Sequence, residues 1–439
     1  MKTSLIQFGL HTLSHEFFVK RKLRKTIHQA YKSKFYRKKL DAAKIRPQAI
    51  KSFKDFKQLP YTYREEISLA TTNPYDLLAV NPEKTPLIYG QTSGTTTTHA
   101  VPVFMSRKEY EKSVNMAMRL PVFSLITSKD RVALLYPYTR TFAGRTADLM
   151  VQKAGALLIP IGTRTNIFPP LQAVDTLLAL KPTILGVVAT DAFAIANILW
   201  DRGVDPKELG VDKIVIGAEP CAKTRMNRLK EIYGASFIFN FVGQNEVGLP
   251  GIPCEKEIMH FPSLAMYGEF IAKDGSEASI GEQATPIITP LFRNAMPLLR
   301  YWTDDIVRLS NKPCECGLKL PIYEILGRRQ TEVILSKDSI YMPIELENCL
   351  FQSSLSGTWY RIEIGANFLK IIAEHRNKEE WGYLEAEICS NFEQQFNFPT
   401  EVTLVEPGTL YDYRNVRPGK PMSRIIDHQS NRHELLETG

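Results

Sequence analysis

Residues 181–220 read KPTILGVVATDAFAIANILWDRGVDPKELGVDKIVIGAEP, and this stretch decides the fold. Two short apolar runs, 183–188 and 213–216, lie on either side of an amphipathic segment, 191–202. Continuous apolar runs are typical of strands that are buried on both faces, and a helix between them implies a right-handed crossover between parallel strands. The stretch therefore predicts a βαβ unit of a parallel sheet.

The same alternation extends to both sides of this unit. Further strands are predicted at 131–135, 156–161 and 236–241, and further helices at 109–120, 144–153, 169–180 and 222–233. Past Gly243 the chain becomes β-rich, with strands at 267–272 and 284–289, and near Gly327 an α+β pattern begins, with strands at 360–364, 369–374 and 402–405 and a helix at 378–392. We therefore predict an α/β fold with two domains. The large N-terminal domain (1–326, with a helical lead-in over 1–80) holds a mostly parallel, helix-flanked sheet and a β-rich portion, and residues 327–439 form a small α+β domain.

The net charge of the chain is concentrated in one segment. The 439 residues carry 55 Lys+Arg and 47 Asp+Glu, a formal charge of +8, but ten of the basic residues lie between Lys20 and Lys39 without an acidic one. The remainder is close to neutral, which argues against a general nucleic-acid-binding surface. Within the basic segment, apolar side chains recur every four residues, as on one face of a helix (Leu23, Ile27, Tyr31 and Phe35).

Membrane insertion and secretion are not predicted. No apolar run approaches the ~18 residues that a membrane-spanning helix needs. The N-terminal residues carry polar and charged side chains, and no small-residue cleavage site follows them. Six cysteines are too few for a disulfide scaffold in a chain of this length. We expect a cytoplasmic protein without a membrane partner.

Two loops are rich in small residues and follow predicted strands or turns. The first is Gly90-Gln-Thr-Ser-Gly-Thr-Thr-Thr-Thr98, whose amides and hydroxyls could gather around phosphate oxygens, although such tracts are usually solvated loops. It lacks the lysine of a P-loop NTPase, so that class is excluded. The second is Gly217-Ala-Glu-Pro220, at the end of a strand, where ligands bind in open parallel sheets. The alternative for this loop is a turn with a capping carboxylate.

Three further segments carry charged residues at loop positions. Val242-Gly-Gln-Asn-Glu-Val-Gly248 contains Glu246, a carboxylate that could hold Mg²⁺ against phosphate oxygens or lie solvated on the surface. Pro297-Leu-Leu-Arg-Tyr-Trp-Thr-Asp-Asp305 ends in two carboxylates, and Asp305 could accept hydrogen bonds from both hydroxyls of a ribose. Arg417-Pro-Gly-Lys420 places a lysine in a Gly/Pro loop, where it is normally exposed and inert.

In their order and spacing these segments resemble the adenylate-forming superfamily, and within it the phenylacetate–coenzyme A ligase branch. The resemblance runs from about Tyr36 to Asp427. It implies that Lys420 and Glu246 act in catalysis, with Mg²⁺ on Glu246, and that Lys420 comes from a small mobile domain. It further implies contacts with ATP from a set of loop residues: Ser93, Gly94, Thr95, Thr96, Thr97, Gly217, Ala218, Glu219, Pro220, Val242, Asp305 and Arg328.

The chain departs from the family pattern at several positions. The phosphate loop of the family usually continues Gly-Lys-Pro, whereas Thr97-Thr98-His99 stand here, which removes a lysine. Val242 replaces an aromatic residue that would stack on adenine, and Gln330 stands where a hinge aspartate is usual. The spacing from Lys420 to Arg424 is one residue longer than expected. These departures bear on catalytic competence, although Glu246, Asp305 and Lys420 are all present.

Aromatic residues follow the strand at 131–135, where this branch builds its acid pocket. Aromatic side chains with small spacers suit a flat ring, and the alternative is packing at a helix N-terminus. Together with the loop after the strand at 236–241, they make the predicted substrate set: Tyr136, Tyr138, Phe142, Gly144, Gly243 and Gln244. We predict an aromatic or heteroaromatic carboxylic acid as substrate.

Three cysteines and a histidine form a candidate metal set. Cys254 and His260 follow the Glu246 loop, and Cys314-x-Cys316 follows Asp305. Three thiolates and an imidazole suit a tetrahedral structural zinc ion, whereas the alternative is unrelated buried cysteines and a surface histidine. Similar Cys/His positions in the resembling branch favour zinc.

Three functions are consistent with these observations. The first is ATP-dependent activation of the acid to an acyl-adenylate, followed by transfer to coenzyme A. The second keeps adenylation but delivers the acyl group to a carrier-protein thiol or an amine. The third is a non-catalytic homologue that binds nucleotide or a partner. The basic segment is either a solvated helical face or a surface for an acidic carrier protein or the phosphates of coenzyme A. A homodimer is a further candidate assembly, and no nucleic acid partner is expected.

Overall fold

The structure is a computed structural model that describes residues 13–92, 100–162, 170–336, 339–365, 367–414 and 424–428. The α-helices are α1 (Leu13–Ala30), α2 (Lys34–Ala42), α3 (Phe53–Phe56), α4 (Arg107–Ala117), α5 (Ala143–Ala154), α6 (Pro170–Leu180), α7 (Ala189–Asp201), α8 (Lys223–Tyr233), α9 (Pro343–Leu350) and α10 (Trp381–Phe396). Over these described ranges, no helix is both long enough and apolar enough to cross a membrane.

The strands extend from residue 87 to residue 427. They are β1 (Leu87–Gln91), β2 (Pro102–Ser106), β3 (Arg131–Leu134), β4 (Leu157–Pro160), β5 (Ile184–Val187), β6 (Lys213–Gly217), β7 (Phe237–Gln244), β8 (Gly248–Pro253), β9 (Met259–His260), β10 (Met266–Ile271), β11 (Gln283–Pro290), β12 (Tyr301–Trp302), β13 (Asp305–Ser310), β14 (Ile322–Arg328), β15 (Val333–Ser336), β16 (Ser339–Tyr341), β17 (Tyr360–Ile364), β18 (Leu369–Glu374), β19 (Thr400–Val405) and β20 (Ile425–Asp427).

The chain divides into two compact units. The first unit comprises Met1–Thr127, Pro137–Ala154 and Phe241–Ile325, and the second comprises Ser128–Tyr136, Gly155–Asn240 and Leu326–Gly439. Both units are therefore assembled from separate stretches of the chain. The predicted boundary between residues 326 and 327 stays a prediction, although the C-terminal part of the second unit begins at almost the same place.

The second unit contains the predicted parallel sheet. Its strand order is β4-β3-β5-β6-β7, and β3 pairs in parallel with β4 and β5, as β5 does with β6. All four residues of β5 are buried, and so is almost the whole of α7, because both elements are mainly apolar. A smaller sheet, ordered β19-β18-β17-β20, and helix α10 belong to the same unit. The predicted α/β fold is confirmed.

The first unit is mainly antiparallel. Its strands follow the order β7-β8-β9-β14-β13-β11-β10, and β1 and β2 form a separate antiparallel hairpin. Helix α4 begins directly after β2, where Ser106 and Glu109 form a reciprocal capping box. Glu109 also accepts a hydrogen bond from the amide of Ala295 (3.0 Å), which ties the start of this helix to the loop after β11.

The basic N-terminal segment forms two helices rather than one. Helix α1 ends at Ala30, and Ser33 caps α2 by accepting a hydrogen bond from the amide of Tyr36 (3.2 Å). A serine at this position satisfies an amide that has no partner within the helix, so it favours a new helix start. Leu23 and Ile27 are buried as the periodicity predicts, whereas Tyr31 lies between the helices with its hydroxyl on Asp41 (2.7 Å).

Candidate active site

The predicted phosphate loop lies between β1 and β2 in the sequence. Ser93, Gly94, Thr95, Thr96 and Thr97 lie outside the described residues, but both ends of the loop are described. The amide of Thr92 donates to the carbonyl of Val101 (3.1 Å), and the amide of Val101 donates to the Thr92 hydroxyl (2.9 Å). The root of the loop is therefore closed by two hydrogen bonds.

Four side chains meet at this root, and we call them the loop-root cluster: Arg64, Thr92, Glu246 and Tyr301. Glu246 is buried, and its Oε1 accepts hydrogen bonds from Arg64 Nη1 (3.2 Å) and the Tyr301 hydroxyl (3.0 Å). Arg64 Nη2 donates to the Thr92 hydroxyl (2.7 Å). Burial and the nearby Glu246 carboxylate raise the pKa of Tyr301, so its hydroxyl remains a donor. The predicted magnesium ligand thus lies beside the root of the predicted phosphate loop.

Asn245 connects the loop root to the predicted acid pocket. Its Nδ2 donates to the carbonyl of Gln91 (2.8 Å), and its Oδ1 accepts from the amide of Phe142 (2.9 Å). The Asn245 carbonyl accepts from Arg293 Nη2 (3.0 Å), and burial lowers the pKa of Arg293 to about 10. The sequence patterns indicate no role for Asn245, Arg64 or Arg293. Only the position of Asn245, next to Glu246, could have singled it out.

Phe142 packs directly under β1. A Cβ at Gly90 would lie 2.4 Å from the Phe142 ring, so glycine at position 90 makes room for this side chain. The ring also contacts Tyr110, with centroids 5.8 Å apart. Gly144 is close to the backbone as well, since a Cβ there would lie 2.7 Å from the carbonyl oxygen of Pro137. Phe142, Gly144 and the half-buried Tyr138 all belong to the first unit.

Tyr136 belongs to the second unit and is a core residue. It is buried, and its hydroxyl donates to the carbonyl of Val215 (2.6 Å). A Cβ at Gly186 would approach its ring to 3.1 Å, which shows how tightly the ring is packed. These contacts are those of the packing alternative, and the predicted contact between Tyr136 and the substrate stays a prediction.

Asp305 lies at the start of β13 in the first unit. It is buried, and Gln244 Nε2 donates to its Oδ2. Val242 is half-buried on β7, and Gly243 is exposed beside it. The structure therefore gathers the predicted residues Gln244 and Asp305, and it leaves Gly243 accessible from solvent.

The Gly217–Pro220 loop follows β6 in the second unit and carries a network that we call the ion-pair cluster: Glu219, Arg225, Glu347 and Arg424. Ala218 adopts a left-handed conformation (φ 69°), and Pro220 is exposed. Glu219 accepts hydrogen bonds from the amide (2.7 Å) and the hydroxyl (2.9 Å) of Thr190. Burial raises the pKa of Glu219, but Arg424 and Arg225 outweigh it, so that the pKa lies below its usual range.

In the ion-pair cluster, two guanidinium groups pair with two carboxylates. Arg225 Nη1 lies 3.1 Å from Glu347 Oε1 and 3.4 Å from Glu219 Oε1. Arg424 lies 3.5 Å from Glu347 and 3.6 Å from Glu219. Arg225 is buried between the rings of Phe193 and Phe351. Apart from Glu219, the members of this cluster could not be predicted from the sequence, because they lie far apart in the chain.

Two predicted site residues, Arg328 and Lys420, belong to the C-terminal region of the chain. Arg328 is exposed at the end of β14 and belongs to the second unit. Lys420 lies outside the described residues. The described residues end at Arg414 before Lys420 and resume at Arg424 after it. Arg414 forms an ion pair with Asp201, and Arg424 belongs to the ion-pair cluster. The catalytic role of Lys420 stays a prediction.

The cysteines and the histidine of the candidate metal set come together in the first unit. Their ligand atoms all lie within 4.8 Å of one another. Cys254 Sγ is 3.6 Å from Cys314 Sγ, and Cys316 Sγ is 3.5 Å from His260 Nε2. The amides of Lys256 and Leu318 donate to the sulfurs of Cys254 and Cys316 (3.4 Å each). His260 Nδ1 lies 3.2 Å from the carbonyl of Leu320, which leaves Nε2 for a metal. The donor set fits a tetrahedral zinc ion.

The chain is similar to several known ligases. No protein-family model matches the chain. The phenylacetate–coenzyme A ligase of Thermus thermophilus is 24% identical over 407 residues, covering 85% of this chain and 88% of that protein, and the Escherichia coli enzyme of the same name is 24% identical over 351 residues, covering 78% and 77%. A solved structure of 2-hydroxyisobutyryl-CoA ligase, in the postadenylation state in complex with R3-HIB-AMP, superposes with a TM-score of 0.82 at 19% identity, covering 96% of this chain and 92% of that one.

The chain is similar to ligases of the adenylate-forming superfamily over most of its length. The solved structure establishes the fold, and the curated relatives confirm the resemblance to the phenylacetate–coenzyme A ligase branch that the motifs predict. The relatives align along most of their own length, so the superfamily likeness extends over both units of this chain.

Proposed function

We propose that this adenylate-forming enzyme activates an aromatic carboxylic acid and transfers it to coenzyme A. The general activity, that of an AMP-forming acid–coenzyme A ligase that works through an acyl-adenylate, is supported by the similarity to phenylacetate–coenzyme A ligases. The observation that carries the proposal is the loop-root cluster, which joins the buried Glu246 to the phosphate-loop hairpin, with Asn245 linking that hairpin to Phe142.

Adenylation forms one bond and breaks another at the α-phosphorus of ATP. A carboxylate oxygen of the acid attacks this phosphorus, the bond to the β-phosphate bridging oxygen breaks, and pyrophosphate leaves. Negative charge builds on the phosphate oxygens, and fixed donors and cations stabilise it. Backbone amides of the hairpin loop and Lys420 are the groups proposed here for that task. Glu246 would hold Mg²⁺, which supplies further positive charge against the triphosphate.

Thioester formation then uses the same acyl carbon. The sulfur of coenzyme A attacks the carbonyl carbon of the acyl-adenylate, the bond to the AMP oxygen breaks, and the thiol proton is released to solvent. Coenzyme A is our proposed acceptor, and a carrier-protein thiol or an amine stays an alternative. The cytoplasmic location and a homodimer also stay predictions.

An aromatic acid is proposed because of the side chains that lie next to the loop root. Phe142 is held by Asn245 and packs against Gly90, so one wall of the proposed pocket is an aromatic ring at fixed position. Tyr138 and the close backbone at Gly144 continue this wall. Flat apolar walls suit an aryl ring better than a flexible polar acid.

Acid-dependent exchange of labelled pyrophosphate into ATP tests the function. A panel of benzoic, phenylacetic and heteroaromatic acids, with short aliphatic acids as controls, should give exchange with at least one aromatic acid and much less with the aliphatic acids. If none of the acids supported exchange, the proposed adenylation would be contradicted. If only the aliphatic acids supported exchange, the proposed aromatic preference would be contradicted. Release of AMP that depends on coenzyme A, measured with the best acid, separates this acceptor from the alternatives.

We also propose that Cys254, His260, Cys314 and Cys316 hold a structural zinc ion. The amide-to-sulfur hydrogen bonds and the carbonyl on His260 Nδ1 are contacts that orient zinc ligands in proteins. Metal analysis of protein purified without chelators should find about one zinc per chain. The Cys316→Ser variant should bind less zinc and unfold at a lower temperature. Absence of zinc from the wild-type protein would contradict the proposal.

A further inference from the structure

The exposed face of helix α1 is basic along most of its length. Five of its side chains are exposed to solvent: Phe17, Arg21, Arg24, Lys25 and His28. Their spacing, mostly three or four residues, places them on one side of the helix, while the buried Val19 and Leu23 lie on the other. Residues 17–40 contain no aspartate or glutamate. Helix α1 therefore presents a row of cations to solvent.

Cations of helix α4 extend this row. Lys22 of α1 and Lys112 of α4 both lie over the ring of Phe292, at 4.3 Å and 4.8 Å from its centre. Lys108 and Arg119 line the same groove along α4 as Lys112. The two helices thus share one surface, which we call the basic surface: Arg21, Lys22, Arg24, Lys25, Lys108, Lys112 and Arg119.

The basic surface has no counter-charge in the part of the chain that the structure describes. Neighbouring cations do have partners, as Arg107 has with Glu111 on α4 (3.1 Å). None of the seven cations of the basic surface forms an ion pair with a described carboxylate. Burial and the nearby cations lower the pKa of Lys22. Because like charges repel, folding gathers these cations at a cost in free energy, and an anionic partner would reduce that cost.

An exposed aromatic ring and the sequence before α1 favour a lipid surface as this partner. Phe17, at the start of the basic face of α1, is 69% exposed. Residues 1–12 contain a single charged side chain and several large apolar ones, among them Leu5, Ile6, Phe8 and Leu10. Apolar side chains next to a run of cations are typical of proteins that lie on anionic membranes. An acidic protein would require only the charges.

We propose that the basic surface binds a membrane that contains acidic phospholipids, with Phe17 at the lipid interface. The cations contact the headgroups, and the protein lies on the bilayer without crossing it. This inference replaces the expectation, drawn from the sequence, of a protein without a membrane partner. It does not depend on the proposed ligase activity, so the failure of either leaves the other intact.

Sedimentation of the full-length protein with lipid vesicles tests the proposal. At about 0.1 M salt, the protein should bind phosphatidylcholine vesicles with about 30% phosphatidylglycerol and should not bind vesicles of phosphatidylcholine alone. Arg21→Gln, Arg24→Gln and Lys25→Gln together should weaken binding by about 100-fold, because each cation contributes about fivefold. Phe17→Ser should weaken binding by about tenfold, because an apolar contact with lipid is lost.

A second triple variant controls for the change in net charge. Lys153→Gln, Lys207→Gln and Lys273→Gln remove three exposed cations that lie outside the basic surface. Binding of this control to the anionic vesicles should fall by less than about threefold. Both triple variants should give the circular dichroism spectrum of the wild type, because all six side chains are exposed.

The outcomes separate a lipid surface from other partners. No binding to the anionic vesicles, equal binding to both kinds of vesicle, or equal losses in the two triple variants would each overturn the proposal. Retention on immobilised polyglutamate without binding to vesicles would assign the basic surface to an acidic protein and also overturn it. Wild-type binding by Phe17→Ser would overturn the lipid contact of that ring. If the first triple variant does not fold, its three single variants replace it, each with a loss of about fivefold.

Discussion

The loop-root cluster of the first unit and the ion-pair cluster of the second unit both bury charge, but they compensate it differently. In the ion-pair cluster, two guanidinium groups face two carboxylates, and aromatic rings cover Arg225. In the loop-root cluster, one guanidinium and one carboxylate share their contacts with the hydroxyls of Thr92 and Tyr301. A buried ion pair is costly to separate, whereas a charged side chain can easily exchange a hydroxyl partner for a ligand. The first arrangement suits stability, and the second suits binding.

Removal of Arg225 from the ion-pair cluster should give the largest loss of stability. Arg225→Met leaves the buried Glu347 and the half-buried Glu219 with one cation fewer, so the free energy of unfolding should fall by about 3–5 kcal/mol. Urea denaturation measures this loss. The matched control is Glu231→Gln on the same helix, because Glu231 is exposed and pairs with Arg228 at the surface, so its loss should cost less than about 1 kcal/mol. Equal losses for both variants would show that the ion-pair cluster has no special role in stability.

Neutralising Glu246 should affect activity more than stability. Glu246→Gln retains an oxygen that can accept from Tyr301 but loses the charge for Mg²⁺, so pyrophosphate exchange should fall by about 100-fold, or about 2.7 kcal/mol. The free energy of unfolding should change by about 1 kcal/mol or less. Glu231→Gln is the control for a carboxylate at the surface. A Glu246→Gln enzyme with wild-type exchange would remove Glu246 from the active site.

The smallest expected effect is a pH dependence of the free energy of unfolding that comes from Glu219 in the ion-pair cluster. Arg424 and Arg225 hold the pKa of Glu219 below the 4.5 of an ordinary glutamate, against the effect of burial. An acid with a lowered folded pKa contributes stability above its unfolded pKa, and this contribution disappears as the pH falls through the folded value. The wild type should therefore lose stability below pH 4.5, and Glu219→Gln should lose less over the same range. Parallel curves for the two proteins, measured by urea denaturation, would contradict this assignment.

The parallel sheet could be predicted from the sequence because burial on both faces leaves continuous apolar runs, as in β5 and β6. The metal set could also be predicted, because cysteine and histidine in short-spaced pairs have few other uses. The ion pairs could not. Arg64 and Glu246 are 182 positions apart, and nothing in the composition around either residue indicates the other. The break between α1 and α2 depends on the cap at Ser33, a local hydrogen bond that the apolar periodicity does not reveal.

The side chain of Asn245 hydrogen-bonds to main-chain groups, the carbonyl of Gln91 and the amide of Phe142. The side chain at position 142 can therefore change during evolution while the link between the hairpin and the pocket is preserved. A smaller residue there would open space beside Gly90, and a relative with a larger acid could arise without any change in the groups that handle ATP. In the proposed site, the shape of the acid pocket can therefore diversify while the backbone proposed to position the nucleotide stays constant.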